Sequence, residues 1–203
     1  YNVVLSDLNE EKLKIAKEEL EKTPSEAQIT YTTCNVSKIE ELQALMNFAI
    51  EKFGEVDIWI NNAGVNQLQK AIWELTEQEI NTIIDVDLKG AIFGSKVAIE
   101  QMSKQHKGAV YNIEGYGSND AMMKGLSIYG TSKRAITYFT QALAKESAEL
   151  NTGVLIGRLS PGIMITDFIT NALGDKGKIE LPEKSVILTM DDGDDSFFEL
   201  AIP

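Results

Sequence analysis

The chain has 203 residues, of which 43% are hydrophobic and 25% charged, as in folded globular proteins. Acidic residues number 31 and basic residues 19, giving a formal net charge of -12. No stretch of the sequence is rich in Lys and Arg, so nucleic acid is not predicted as a partner. A single cysteine, Cys34, excludes an internal disulfide, and a single histidine excludes an imidazole cluster for zinc. Charges interrupt every apolar run before the roughly 20 residues that a bilayer requires. We therefore predict a cytoplasmic protein with no membrane partner.

Short β-like apolar runs alternate with longer runs of helical period, a pattern that predicts a parallel sheet covered by helices. Strands are predicted over 1–6, 28–32, 56–60, 108–113 and 153–159, and helices over 9–22, 37–53, 76–104 and 127–150. Ser37 with Glu40, and Thr76 with Glu79, have the spacing of a capping box. Gly54 is predicted to end the second helix.

The two ends of the chain differ from its middle. Beyond residue 161 the pattern weakens, so we predict a single domain over 1–180 and an acidic, poorly defined tail over 181–203. The aspartates at 191–195 favour a solvated loop over a metal site, because a calcium loop needs a longer series of ligands. At the other end, Tyr1 opens directly into a strand, which predicts that a preceding segment has been removed.

Asp7 ends the first predicted strand, where an acid can accept the adenosine ribose hydroxyls of a dinucleotide. The glycine-rich phosphate turn that should precede it is missing, because only six residues come before Asp7. The GxG formed by Gly115 and Gly117 continues to Asp120 where a third glycine is needed. Taken alone, Asp7 fits a turn or a helix start better than a ribose site.

Tyr129 and Lys133 are four residues apart near the start of a predicted helix, so their side chains share one face. A neighbouring ammonium group stabilises a phenolate and lowers the pKa of a tyrosine from about 10. The two side chains would then form an acid/base unit. Taken alone, this spacing fits a Tyr and a Lys on the protein surface better than it fits an acid/base unit.

The order of several motifs along the chain favours the acid/base unit over a surface Tyr and Lys. Asn61, Asn62, Ala63 and Gly64 follow a strand, Ser118 precedes Tyr129 in a glycine-rich loop, and Pro161, Gly162 and Thr166 follow the last strand. Together with the Tyr129 to Lys133 segment they resemble the short-chain dehydrogenase/reductase family over residues 1–173. Segments 111–118 and 159–167 are similar to its chlorophyll b reductase-like branch and bacterial relatives.

The resemblance implies an α/β fold, a Rossmann-like doubly wound parallel sheet whose first strand and glycine-rich turn are missing from this chain. The missing strand would lie between those predicted at 1–6 and 56–60. It also implies an enzyme, an NAD(P)-dependent oxidoreductase that transfers hydride between nicotinamide and a carbonyl or secondary alcohol. A homo-oligomer formed through the helices at 76–104 and 127–150 is expected, with a small-molecule substrate and no metal.

The resemblance also implies roles for individual residues. The implied catalytic residues are Ser118, Tyr129 and Lys133. Ser118 polarises the substrate oxygen, Tyr129 is the proton donor or acceptor, and Lys133 lowers the pKa of Tyr129. The cofactor-binding residues are Asp7, Asn35, Val36, Asn61, Ala63, Gly64, Tyr129, Lys133, Pro161, Gly162 and Thr166. NAD is expected rather than NADP, because the carboxylate of Asp7 accepts ribose hydroxyls and repels a phosphate.

The chain departs from the family pattern at several points. Asp87 stands where the family has an asparagine, and Asn35 stands where it usually has an aspartate at the adenine. The usual spacing would place the serine at Tyr116 instead of Ser118. The alternative function is a noncatalytic fragment or degraded relative that keeps the scaffold without binding cofactor. For these 203 residues alone we expect no measurable NAD binding, because the helix N-terminus that normally holds the pyrophosphate is missing.

Overall fold

The computed structural model describes residues 1–161, in which parallel strands alternate with helices. The strands are β1 Val3–Asp7, β2 Ile29–Thr33, β3 Ile58–Asn61, β4 Gly108–Ile113 and β5 Val154–Leu159. The α-helices are α1 Glu10–Glu21, α2 Ile39–Phe53, α3 Glu77–Ile83, α4 Gly90–Gln105 and α5 Ser127–Glu149. A π-helical turn, Ile84–Lys89, joins α3 to α4. The predictions for residues 162–203, including the acidic tail, lie outside the described residues.

The strands pair in parallel throughout the described residues, which confirms the predicted α/β class. β1 pairs with β2, and β4 lies between β3 and β5. Asp7 pairs with Thr33, and Asn61 with Asn112, so neighbouring strands end together. Within residues 1–161 the two sheets share no strand pairing, which is compatible with the expected position of a further strand between β1 and β3.

The hydrophobic core lies between one face of the sheets and helices α2 and α4. Apolar side chains recur on each helix at intervals of three and four residues, so a single face of the helix contacts the sheet. The core consists of Cys34, Leu42, Leu45, Met46, Trp59, Val97, Ala98, Met102, Val110 and Val154. On the opposite face of β3, Ile58 and Ile60 are exposed, because side chains alternate along a strand.

One predicted capping box is present and the other is wrong. Thr76 caps α3 and Glu79 reaches back to its backbone N–H, as predicted. α2 instead begins at Ile39 with no side-chain cap. The hydroxyl of Ser37 donates to the side-chain oxygen of Asn35 at 2.7 Å, because the Asn35 side chain forms the turn before the helix. Gly54 ends α2 with φ 86°, as predicted.

The predicted continuous helix over 76–104 is interrupted by the π-helical turn between α3 and α4. Such turns insert a residue into the helical ladder and are frequent at functional sites. Here the turn carries Asp87, whose side chain is buried. No helix within residues 1–161 combines the length and the apolar character needed to cross a bilayer.

Candidate active site

Seven of the described candidate residues lie at or just beyond the carboxyl ends of the strands. Parallel strands place these ends at one edge of a sheet, where ligands of such folds bind. The residues at these ends are Asp7, Asn35, Val36, Asn61, Ala63, Gly64 and Pro161. A Cβ on Gly90, at the start of α4, would lie 2.8 Å from a methyl group of Val36, so the segment after β2 contacts the π-helical turn region. Gly162 and Thr166 lie outside the described residues.

Tyr129 and Lys133 are both buried in the first turns of α5. The Lys133 Nζ lies 5.6 Å from the centroid of the Tyr129 ring. A Cβ on Gly115 would lie 2.4 Å from the Tyr129 hydroxyl oxygen, so the backbone after β4 directly adjoins the phenol. Gly117, with φ 101°, approaches Gly130 so closely that a Cβ would lie 2.7 Å from its Cα. The glycine-rich loop therefore packs tightly against the start of α5.

The ammonium group of Lys133 is sparsely bonded within residues 1–161. Its Nζ donates a long hydrogen bond of 3.5 Å to the carbonyl oxygen of Ile113. Burial lowers the pKa of Lys133, and the nearby carboxylates of Asp87 and Glu114 oppose that shift. An ammonium has three donors, so Lys133 has donor capacity for ligand hydroxyls.

Asp87 brings a carboxyl group into the same region. One oxygen accepts a hydrogen bond from the Val65 backbone N–H at 2.7 Å, and the other is buried without a hydrogen-bond partner among residues 1–161. A Cβ on Gly64 would lie 3.6 Å from Asp87 Oδ1 and 3.7 Å from Lys133 Nζ. The carboxyl and ammonium groups therefore flank the same point beside Gly64. Burial raises the pKa of Asp87 to about 6, against the opposing effects of Lys133 and the Val65 N–H.

The phenol of Tyr129 differs from the sequence expectation. Burial, with a further contribution from the negative charge of Asp87, raises its pKa to about 12. The sequence predicts the opposite direction, on the argument that Lys133 stabilises the phenolate. The cost of desolvating a phenolate exceeds that stabilisation here. The arrangement therefore favours the protonated phenol, which is a proton donor.

Ser118 is buried in the loop between β4 and α5. Its backbone N–H donates to the carbonyl of Gly115 at 3.0 Å, and its carbonyl accepts from Arg134 of α5 at 2.8 Å. Tyr116, at the usual family position of the serine, is exposed. The loop is thus fixed to the helix that carries Tyr129, with Ser118 as its buried hydroxyl residue.

Asn61 has a structural role in a buried polar network. Its amide nitrogen donates to Asn112 Oδ1 at 2.8 Å and to Ser95 Oγ at 3.0 Å, and its oxygen accepts from Trp59 Nε1 at 2.8 Å. Asn112 in turn donates to Thr140 Oγ1 at 2.9 Å. The network joins β3 and β4 to α4 and α5.

Sequence reasoning missed two buried polar residues near the site. Glu114, directly after β4, accepts hydrogen bonds from Thr137 Oγ1 at 2.7 Å and from Arg158 at 3.1 Å. Gln67 accepts two hydrogen bonds from the start of α5. An acid directly following a buried strand is a signal that could have indicated Glu114. Nothing local in the sequence indicates Gln67, because its partners are about 60 residues away.

A nicotinamide dinucleotide requires groups that hold its two riboses and its pyrophosphate. Asp7 is exposed at the end of β1, where one oxygen accepts from the Asn9 N–H at 2.8 Å, so it serves the turn and still presents a carboxylate. The Cys34 thiol beside it is buried, and burial raises its pKa to about 11. A carboxylate such as that of Asp7 can accept hydrogen bonds from ribose hydroxyls, and an ammonium such as that of Lys133 can donate to them. Residues 1–161 supply no glycine-rich turn for the pyrophosphate, and no cluster of at least three potential metal ligands occurs among them.

We expect replacement of Asp87 by asparagine to change how stability depends on pH. The folded-state pKa of about 6 lies above the ordinary value of 3.8, so the folded state holds a proton that the unfolded chain has lost. Stability from this group is complete below the ordinary pKa and is lost as pH rises through about 6. The unfolding free energy of the wild type minus that of Asp87→Asn should fall by about 2 kcal/mol between about pH 4 and about pH 7 in urea titrations.

The matched control for this comparison is Asp85→Asn, a half-exposed aspartate two residues earlier in the chain that pairs with Lys89 at 2.8 Å. Its difference from the wild type should stay within about 0.5 kcal/mol over the same pH range, because exposed ion pairs contribute little. A flat profile for Asp87→Asn as well would contradict the burial argument.

The chain is similar to known proteins in both sequence and structure. The family profile described as short chain dehydrogenase matches residues 1–176. Probable chlorophyll(ide) b reductase of Arabidopsis thaliana is 34% identical over 175 residues, covering 83% of this chain and 35% of that protein. Diacetyl reductase [(S)-acetoin forming] of Staphylococcus epidermidis is 33% identical over 171 residues, covering 82% of this chain and 63% of that protein. The chain thus spans between about a third and two thirds of these relatives' lengths.

Among solved structures, a short chain dehydrogenase from Mycobacterium smegmatis superposes with a TM-score of 0.73. It is 26% identical in sequence, and the match covers 80% of this chain and 65% of that one. The similarity thus extends to the arrangement of the strands and helices as well as to the sequence.

Proposed function

The chain belongs to the short-chain dehydrogenase family, and from this premise we propose that the protein to which it belongs is an NAD(P)-dependent reductase of a small carbonyl compound. The observation that carries the proposal is the buried Tyr129 and Lys133 pair, with the backbone of Gly115 against the phenol. The relatives named above are both called reductases, which supports the same direction.

The bound cofactor would supply the hydride to the carbonyl carbon. Tyr129 would donate its hydroxyl proton to the carbonyl oxygen, a role that suits a phenol whose raised pKa keeps it protonated. Lys133 would bind ribose hydroxyls through its available N–H groups and limit the cost of the negative charge left on the phenol oxygen. Ser118 would polarise the substrate oxygen. The reverse reaction, oxidation of a secondary alcohol, uses the same groups in the opposite protonation states.

The test is a nicotinamide absorbance assay on the full-length protein with aldehydes, ketones and vicinal diketones as substrates. We expect oxidation of the reduced cofactor that depends on the carbonyl compound. Cofactor binding without turnover across these three classes would contradict the reductase proposal.

We propose NAD as the preferred cofactor and Asp7 as the residue that sets the preference. The carboxylate is exposed at the end of β1, where it would accept ribose hydroxyls and repel a phosphate. Replacement of Asp7 by asparagine should lower the ratio of kcat/KM for NADH over NADPH by about tenfold, since repulsion of about 1.4 kcal/mol corresponds to that factor. Steady-state kinetics with both cofactors measure the ratio.

The control for Asp7 is Asp57→Asn, which precedes β3 and therefore lies at the opposite, amino end of the strands. Its cofactor ratio should match that of the wild type within about twofold, because a remote charge is screened by salt. A wild-type preference for NADPH, or an unchanged ratio in Asp7→Asn, would count against the assignment.

A second candidate function is a noncatalytic scaffold that binds no cofactor. One observation favours it, namely the carboxyl of Asp87, whose negative charge acts on the phenol of Tyr129. Calorimetric titration of the full-length protein with NAD separates the two, since a scaffold gives no binding heat. The homo-oligomer and the cytoplasmic location stay predictions.

A further inference from the structure

Gln67 lies in the segment after β3 and contacts the start of α5. Its side chain is 1% exposed, and its amide oxygen accepts hydrogen bonds from the backbone N–H groups of Ile128 at 2.9 Å and Tyr129 at 3.1 Å. These groups belong to the first turn of the helix, which begins at Ser127. The first N–H groups of a helix have no partner within the helix itself.

The residue that precedes α5 does not supply the usual side-chain cap. Leu126 occupies the N-cap position and makes no side-chain hydrogen bond there. A capping oxygen accepts from the second or third residue of a helix. The Gln67 oxygen bonds to these same two positions, although it comes from a segment 61 residues away in sequence. It therefore takes the place of the N-cap side chain.

The cap acts at the residue proposed to transfer the proton. Tyr129 is the third residue of α5, so any opening of the first turn displaces its backbone and its phenol. The amide nitrogen of Gln67, Nε2, is buried with no hydrogen-bond partner among residues 1–161. The amide oxygen therefore makes all the described hydrogen bonds of this side chain.

The amide is also neutral. An aspartate or glutamate can cap a helix equally well, and the helix dipole favours its charge. Such a charge would lie beside Tyr129 and add to the negative charge that Asp87 already places near the phenol. A glutamine provides the oxygen without that charge.

We propose that Gln67 is a positioning residue, a neutral cap supplied by a distant loop that holds the backbone of Tyr129 in place for proton transfer. Its catalytic consequence rests on the proposed function, whereas the capping contact does not. Sequence position alone would not identify this residue, since the helix and its cap are connected only by the fold.

The test uses three variants of the full-length protein. Gln67→Leu keeps a side chain of similar size but removes the oxygen, and Gln67→Glu keeps oxygen acceptors at the same reach. Gln69→Leu is the matched control, because it makes the same substitution at an exposed position of the same loop. If Gln67→Leu does not fold, Gln67→Asn replaces it, because the asparagine side chain is one methylene shorter and its oxygen does not reach the helix.

The first measurement is amide hydrogen exchange at Ile128 and Tyr129, which requires no activity. Gln67→Leu should accelerate exchange there by about fivefold or more, as expected for loss of a cap, while exchange within α4 changes little. Gln67→Glu and Gln69→Leu should stay within about twofold of the wild type. Unchanged exchange at both amides in Gln67→Leu would overturn the proposal whether or not the protein is active.

The second measurement is steady-state kinetics. Gln67→Leu should lower kcat by about tenfold or more while KM for the cofactor stays within about twofold, because misplacing a reacting group by a fraction of an ångström is costly. Gln67→Glu should give a kcat between those of Gln67→Leu and the wild type, because it keeps the capping oxygen but adds a negative charge beside Tyr129. Faster exchange with unchanged kcat would overturn the positioning role. A wild type without turnover would instead contradict the proposed function, and the exchange data would still decide whether the cap exists.

Discussion

Replacing Tyr129 by phenylalanine in the full-length protein should lower kcat by about 10²- to 10⁴-fold, the usual consequence of losing one acid/base group. The substitution removes only the hydroxyl from a ring that is buried against Gly115 and one helical turn from Lys133. Cofactor affinity should therefore stay within about threefold of the wild type. Absorbance kinetics and calorimetric titration measure the two quantities.

Tyr138→Phe provides the control for this substitution. Tyr138 lies on the same helix, but its side chain is 76% exposed, so loss of its hydroxyl should leave kcat unchanged. Lys133→Ala should lower both kcat and cofactor affinity, because the ammonium is proposed to serve the ribose as well as the phenol. Retention of more than about a tenth of kcat in Tyr129→Phe would exclude the phenol as the proton donor.

Replacing Gly94 by alanine should destabilise the fold by about 3 kcal/mol or more. The added Cβ would lie 2.0 Å from Asn61 Oδ1 and 3.1 Å from Trp59 Nε1, so Asn61 must move. Its hydrogen bonds to Asn112, Ser95 and Trp59 would then be lost in a buried environment, where each unsatisfied polar group costs about 1–3 kcal/mol. Urea unfolding followed by circular dichroism measures the loss.

Gly130→Ala is the matched control, the same substitution in another helix. A Cβ there would meet its nearest neighbour, the Cα of Gly117, at 4.0 Å, an ordinary contact. Alanine favours a helix over glycine by up to about 1 kcal/mol, so this variant should be as stable as the wild type or slightly more so. Equal stability of the two variants would show that the Asn61 network can rearrange at little cost.

Local patterns in the sequence predicted most elements of the described region. The strand at Gly108–Ile113 has its predicted bounds, and the cap at Thr76 and Glu79 forms as its spacing indicates. The cap predicted at Ser37 fails because Asn35, outside the capping pattern, binds the Ser37 hydroxyl. The π-helical turn was not predicted either, since the apolar pattern continues across it.

The parts of the candidate site formed by residues close together in sequence could be predicted. The parts that depend on contacts between residues far apart in sequence could not. Tyr129 and Lys133 share a helix face by spacing alone. The direction of the Tyr129 pKa could not be predicted, because it depends on how deeply the fold buries the ring and on Asp87, which comes from another element. Gln67 was missed for the same reason, since its partners are adjacent only in the folded chain.

The single cysteine gives the chain a built-in reporter of its own opening. Cys34 lies in the core between β2 and α2, and its thiol is both shielded and resistant to ionisation. A thiol reagent reacts with the thiolate, so labelling requires that this part of the core open first. Because these 203 residues contain no other thiol, the rate at which Cys34 is alkylated measures the frequency of that opening and requires no introduced probe.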